Sequence, residues 1–155
     1  MSWDVPDRLW RFGIGDDPPA DLPAAWAEAA GAVTRDLRCL RHGRPITFAG
    51  VSWYFMVCGE AIAVSFDAPS TADVSPYRRC LGYLLETTAA QALLWLAGDV
   101  QYKLAGYEWV QWPMAGQRLL DPRLVDDHAV WVEVSTRSVI APIGELCADP
   151  HQPHR

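Results

Sequence analysis

Apolar residues recur along this chain with two different periods, and the switches between them predict its elements. Across 22–41, Trp26, Ala30, Val33, Leu37 and Leu40 follow one another at spacings of four and three, which lines them along one face of a helix that Gly43 ends. The other face carries Glu28, Arg35, Asp36, Arg38 and Arg41 and reads as solvated surface. From 46 to 67 the period drops to two. Val51, Trp53, Phe55 and Val57 share one side of a strand, Ile62, Val64 and Phe66 share one side of the next, and Cys58-Gly59-Glu60 reads as the hairpin turn between them. Tyr54 and Met56 on the opposite side predict a strand covered on both faces, and therefore central. Gly50 separates 46–48 as a bulge or a short extra strand.

A second helix is expected over 76–97, with Ser75 as N-cap, Pro76 in the first turn and Gly98 after the end. Leu81, Leu84, Leu85, Thr88, Ala92, Trp95 and Leu96 form its stripe. Strand alternation then returns at Val100, Tyr102 and Leu104, continues with the aromatics of 107–112, and gives way to a turn at 113–116. Pro122 and clustered aspartates predict an irregular connection over 119–127 before Val130, Val132 and Val134 resume the alternation. A turn over 135–138, a strand piece at 139–140 and one helical turn over 142–146 follow. At the other end, Asp4 and Pro6 start a short helix reaching Trp10, and 13–19 is a loop. Gly13-Ile14-Gly15 lacks the third glycine and the preceding strand of a phosphate cradle. The expected architecture is α+β: a single domain over 1–148, with a mainly antiparallel sheet packed against two main helices, and a flexible tail over 149–155.

Composition narrows the function classes. Half of the 155 residues are hydrophobic and 21% are charged, enough apolar material for a core without staples, which excludes disorder and collagen-like structure. The net charge is −6, and the cations are one lysine, Lys103, and twelve arginines, so no basic surface suits a nucleic-acid backbone. Asp4, Asp7, Asp16 and Asp17 interrupt the first twenty residues where a signal peptide needs a cationic start and an apolar run. The most apolar stretch, 89–97, is far shorter than the roughly 20 residues of a membrane span. A soluble cytoplasmic protein is expected. Cys39, Cys58, Cys80 and Cys147 include no C-x-x-C pair, so reduced, mostly buried thiols are expected and neither metal nor disulfide should be needed. His151 and His154 lie in the tail, and Asp126-Asp127-His128 reads as a polar turn into the next strand, since at most Asp126 and His128 would converge on an ion.

No nucleophile-elbow, zinc-protease, phosphate-loop or EF-hand motif occurs. Acid–base candidates are Glu60, Glu86, Glu108, Asp121, Asp126 and Glu133; of these, Glu108 and Glu133 are flanked by aromatic or β-branched residues and are the pair best placed for desolvation. The plain alternative is two solvent-facing strand residues. Among eight tryptophans, Trp53, Trp95 and Trp131 fit the interior pattern, whereas Trp109 and Trp112 are three apart on an expected strand, so one should be exposed or line a pocket.

The order of helix, hairpin, long helix and further strands, together with the acidic charge, resembles small α+β bacterial proteins that include many toxin immunity proteins. That likeness lies in element order and charge and carries no residue across. The favoured function is a non-catalytic, cofactor-free binding protein, an immunity protein or inhibitor that docks on and neutralises another protein such as a basic toxin or enzyme. The candidate contacts are Glu108, Trp109, Trp112, Asp121, Asp126 and Asp127. The alternative is a small enzyme or small-ligand binder, in which Glu108 and Glu133 line an aromatic pocket with Tyr107, Trp109 and Trp131.

Overall fold

Antiparallel pairing organises the chain, in an α+β arrangement of two helices packed against separate sheets. The computed structural model describes residues 5–78 and 82–147. In chain order the elements are β1 (Arg8–Gly13), α1 (Ala24–Asp36), β2 (His42–Gly43), β3 (Ser52–Cys58), β4 (Ala61–Asp67), β5 (Tyr77–Arg78), β6 (Tyr83–Leu84), α2 (Ala89–Tyr107), β7 (Val110–Gln111), β8 (Met114–Ala115), β9 (Arg118–Val125), β10 (His128–Glu133) and β11 (Ser138–Pro142). One sheet runs β1-β3-β4, with β5 and β6 taking successive lengths of the far side of β4. A second is the meander β11-β10-β9-β8, and β2 with β7 makes a two-stranded bridge. Trp3 and Asp4, Arg79, Cys80 and Leu81, and the tail 149–155 with His151 and His154 lie outside the described residues.

The hairpin forms as the alternation predicts. Trp53 faces Phe66 and Phe55 faces Val64, all four are buried, and β3 has a neighbour on each side. The short helix expected over 3–10, ended by Gly13 and Gly15, is instead β1 in its described part, where Trp10 and Phe12 face inward opposite Phe55 and Trp53, Leu9 and Arg11 face out, and the Arg8 guanidinium lies over the Trp10 ring at the exposed start of the strand. An unpaired β3 edge lined with aromatics is a stronger demand than a local cap.

The second helix is displaced. It starts after Thr88, whose hydroxyl accepts from Gln91 N at 3.1 Å, and continues through Gly98 to Tyr107. The 76–88 stretch supplies β5 and β6 instead, leaving Leu84 58% exposed. Ala92, Leu96, Asp99, Val100, Lys103 and Leu104 make the buried stripe. Because two of those positions are charged, the apolar pattern breaks there and mimics strand alternation. Helix α1 ends earlier than expected, at Asp36, and Leu40 sits in the left-handed region with φ 61°.

The irregular connection expected over 119–127 is strand β9. Pro122 lies opposite Trp131, on a stretch of β9 that pairs only with β10, an edge where a missing N–H costs nothing. Asp126 and Asp127, at φ 49° and 64°, form the two-residue turn to β10, and left-handed pairs of this kind match strand twist. The expected helical turn over 142–146 is a turn around Gly144, at φ 107°, where a Cβ would press on Ala32 and the Arg35 guanidinium.

That turn closes on Asp36, which the helical pattern assigns to the solvated face and which the structure buries completely. Its carboxylate accepts from Trp131 Nε1 at 2.8 Å, Gly144 N at 2.6 Å and Leu146 N at 3.0 Å, and its carbonyl accepts from Trp112 Nε1 at 2.9 Å. Arg35, expected beside it in solvent, donates to the Gly144 carbonyl at 3.2 Å. Burial pushes the Asp36 carboxyl above its usual range, and the N–H donors with nearby Arg35 offset that only in part. Ionisation of Asp36 therefore opposes folding as pH rises from 3.8 through the higher native value. Cys39 and Cys147 form a disulfide across the same junction, with Cα atoms 5.8 Å apart, which corrects the expectation of reduced thiols. Spacing could not reveal it, because the two residues are 108 apart in sequence and adjoin only through the tertiary junction in which Asp36 bonds Gly144 and Leu146.

Asp36→Ala leaves the two backbone N–H groups and the indole without their acceptor, and urea unfolding at pH 7 is expected to show a loss of about 3–5 kcal/mol. Reducing the Cys39–Cys147 bridge should lower stability by up to about 4–5 kcal/mol, the chain-entropy value for a loop of about 100 residues, read as a fall in melting temperature on adding dithiothreitol.

Candidate functional site

The C-terminal end of α2 gathers the chain's most unusual polar chemistry. Lys103, almost fully buried, donates to Glu108 Oε2 at 2.5 Å and to Ser75 Oγ at 2.9 Å, and Ser75 Oγ donates to Glu108 Oε2 at 2.7 Å. Arg44 closes the other side, giving Nη2 to Glu108 Oε1 at 2.9 Å, Nε to the Glu108 carbonyl at 3.1 Å and Nη2 to the Asp73 carbonyl at 3.0 Å. Rings cover the ammonium: Lys103 Nζ lies 5.8 Å from the centroid of Tyr77 and 5.5 Å from that of Tyr107. Asp99, one turn earlier on the same helix face, is also buried. Behind the cluster, Trp53, Phe66, Tyr77, Asp99 and Lys103 line a cavity of about 10 Å³, which holds about one water and no substrate.

Glu108 is thus the C-cap of α2, not the strand residue expected from sequence. Burial alone would raise its pKa, but the hydrogen bonds from Lys103 and Ser75 and the lysine's charge outweigh it, and the carboxyl is held below its usual range. A carboxylate held low is a poor proton acceptor, so Ser75 beside it is not an activated nucleophile. Glu133 bonds Ser135 Oγ at 2.6 Å and faces Arg118 at 3.6 Å, sharing no partner with Glu108. The carboxylate pair of the enzyme alternative is not assembled.

Immediately after the cluster the chain turns sharply. Trp109 has φ 59°, its carbonyl accepts from Arg44 N at 3.2 Å, and Gly43, at φ 124°, packs so closely that a Cβ there would overlap that carbonyl. The β2–β7 bridge thereby clamps the Trp109 backbone while its ring stands 81% exposed. Tyr107 and Tyr102, at 55% and 60%, stand beside each other with ring centroids 6.1 Å apart, and Tyr77 lies 5.7 Å from Tyr107.

The other expected contact residues scatter. Trp112 is fully buried, its ring edge-on to Trp131 at 5.1 Å, and is removed from any surface. Asp121 pairs with Arg123 at 2.5 Å on β9. Asp126 and Asp127 are exposed at the β9–β10 tip, and Asp127 lies near Ala90 and Leu93 at the start of α2. With a rise of about 1.5 Å per residue, Leu93 and Glu108 are about 22 Å apart, so Trp109 and the acidic tip do not form one contact patch. The expected tryptophan surplus is also smaller than it looked: Trp10, Trp26, Trp53, Trp112 and Trp131 are core. Sequence reasoning missed Ser75 and Lys103 as partners of Glu108; the only hint was a lone lysine within an apolar run. Among the described residues no helix is long and apolar enough to cross a membrane, and no His, Cys, Asp and Glu group could hold a metal ion. Comparison with protein-family models, curated proteins and solved structures finds no match.

Because the native pKa of Glu108 is depressed, its stabilising contribution is complete above its ordinary value of 4.5 and is lost as pH falls through the lower native value. Glu108→Gln, which strands the buried Lys103 ammonium, should cost about 3–5 kcal/mol at pH 7. The gap from the parent protein, measured by urea unfolding, should narrow as pH falls below 4.5 through the lower native value, since protonation of Glu108 makes the same change in the parent.

Proposed function

We propose that this chain is a non-catalytic binding protein that docks on another protein and neutralises it, in the manner of an immunity protein or inhibitor. The observation that carries the reading is the presentation of Trp109: a large ring held almost wholly in solvent by a backbone of unfavourable φ, clamped by Gly43 and Arg44, and two positions after exposed Tyr107, whose ring adjoins that of exposed Tyr102. A left-handed conformation at a bulky residue costs about 1–3 kcal/mol and persists only where its surroundings impose it. Rigid, exposed Trp and Tyr side chains are the residues that anchor protein interfaces, because they offer wide apolar area with a polar handle and lose little conformational freedom. The buried ion cluster beneath supports the platform. It neutralises Glu108, so the aromatic surface stands over a rigid and internally satisfied base.

The contact set differs from the one read from sequence: Glu108 acts from within the cluster, Trp112 is buried against Asp36 and Trp131, and Trp109 with Tyr107 and Tyr102 makes the contact. The acidic surplus adds steering toward a basic partner, an effect on association rate more than on residence time.

Affinity capture from native cells, followed by titration of the co-purified protein, tests this. Trp109→Ala is expected to weaken the complex by about 30-fold or more, the loss of about 2 kcal/mol typical of an anchor. Urea stability should change by less than about 0.5 kcal/mol. Gly43→Ala, which displaces the Trp109 carbonyl, should weaken binding with the indole still present. Undiminished affinity in Trp109→Ala, or a chain that captures only a metabolite, would overturn the reading.

A further inference from the structure

At the opposite end of α2 the structure leaves a groove of about 480 Å³, bounded by α1, the first turns of α2, the β9–β10 turn and the C-terminal turn. Its floor is apolar, with Ala32 and Ile143 buried and Leu93 half-buried. Its rim is acidic, formed by Glu28, Asp127 and Glu145, all exposed and none with an ion-pair partner among the described residues. Elsewhere Asp21, Asp67, Asp121 and Glu133 each face an arginine, while exposed Asp16, Asp17, Glu60 and Asp126 stand without an ion pair among the described residues, so what sets the three rim carboxylates apart is the apolar floor they surround. The one arginine in the groove, Arg35, gives its Nε to the Gly144 carbonyl. That bond leaves the guanidinium charge intact, so the groove, which His128 also lines, combines an apolar floor with three carboxylates in no ion pair against one arginine, an excess of negative charge.

We infer that this groove receives a lysine or arginine side chain from a basic segment of a partner protein. Such a side chain is amphipathic along its length: the methylene stem covers apolar surface while the charged head seeks oxygen acceptors. An apolar floor under three carboxylates complements both parts, whereas a neutral apolar side chain would bury the floor and leave the rim unanswered. The inference rests on the protein-binding reading only in that the segment belongs to a partner; it uses no residue of the Trp109 platform.

The test needs no native partner. A fluorescein-labelled hexapeptide of alternating Leu and Arg, acetylated and amidated, is titrated by anisotropy in low salt beside the same peptide with Gln for Arg. The Arg peptide is expected to bind at least about tenfold more tightly, and the preference should fade as salt is raised. Glu28→Gln, Asp127→Asn and Glu145→Gln combined should abolish it; Asn tolerates the left-handed backbone of the turn, so the fold is kept and urea unfolding confirms that. Leu93→Arg, which places a cation over the floor from within, should block the peptide as well. Amide shifts should centre on 28–32, 93, 127–129 and 143–145. Equal affinity for the two peptides, no binding at millimolar concentration, retention by the triple variant, or loss in Trp109→Ala would each overturn the proposal. A peptide that fails while Trp109→Ala still weakens the captured complex would remove the groove and leave the platform standing.

Discussion

Among the described residues the indole N–H groups of the four most deeply buried tryptophans, Trp26, Trp53, Trp112 and Trp131, each have an acceptor, and the need to supply those acceptors organises much of the fold. A buried donor without an acceptor costs about 1–3 kcal/mol, comparable to the gain from burying a large side chain. Helix α1 answers most of that need. Trp53 bonds Thr34 Oγ1 at 3.1 Å, Trp112 the Asp36 carbonyl and Trp131 the Asp36 carboxylate, while Trp26, itself on α1, reaches the Leu85 carbonyl at 3.1 Å. The last turn of α1 is thus the junction of both main sheets. Asp36 can serve two distant strands and the C-terminal turn together because an ionised carboxylate accepts several hydrogen bonds and donates none. The charge is costly to bury, which is why its pKa rises, and the donors around it make that cost tolerable.

The parts of the fold legible in sequence were those where burial follows one period without interruption. The β3–β4 hairpin is such a case: the face of Trp53, Phe55, Ile62, Val64 and Phe66 is apolar throughout, with buried Ser65 on the opposite face donating to the Tyr54 carbonyl, and the register follows from the alternation. The apolar face of α1 is another. Legibility failed where a charged residue occupies a buried helix face. Asp36 on α1 and Asp99 and Lys103 on α2 all sit on buried faces, and each looks like surface when only hydropathy is read. In α2 the consequence was large, since two charged residues inside the stripe disguised the second half of the helix as a strand and moved its expected start to Ser75. Pro122 misled in the opposite direction, by marking a break on an edge that has no hydrogen bond to lose there.

The candidate site was legible only as an inventory. Trp109 and Trp112, three apart, had to diverge, and the structure exposes one and buries the other. Which of them faces solvent depends on the positive φ of Trp109, and that backbone is packed against Gly43, more than sixty residues earlier, through the β2–β7 bridge. No local pattern encodes such a contact. The same holds for Glu108, whose partners Ser75 and Arg44 lie on separate loops and whose nearest sequence neighbour in the cluster, Lys103, is a turn away on the helix.

The two surfaces left unsatisfied differ in the physics they offer, and their placement gives that difference a consequence. The proposed Trp109 platform is aromatic, with Glu108 paired internally beneath it, so in a complex it would act on the lifetime of the bound state. The groove by Asp127 is electrostatic, so its contribution falls on encounter and orientation and weakens with salt. Helix α2 fixes them about 22 Å apart along a rigid rod. Neither alone needs to bury the area of a standard interface if one partner engages both, because the first contact raises the effective concentration for the second. A partner must then match not only an aromatic cleft and a basic segment but the spacing between them. Charge or hydrophobicity taken singly would admit many proteins, and the rigid separation is what would make the pair selective.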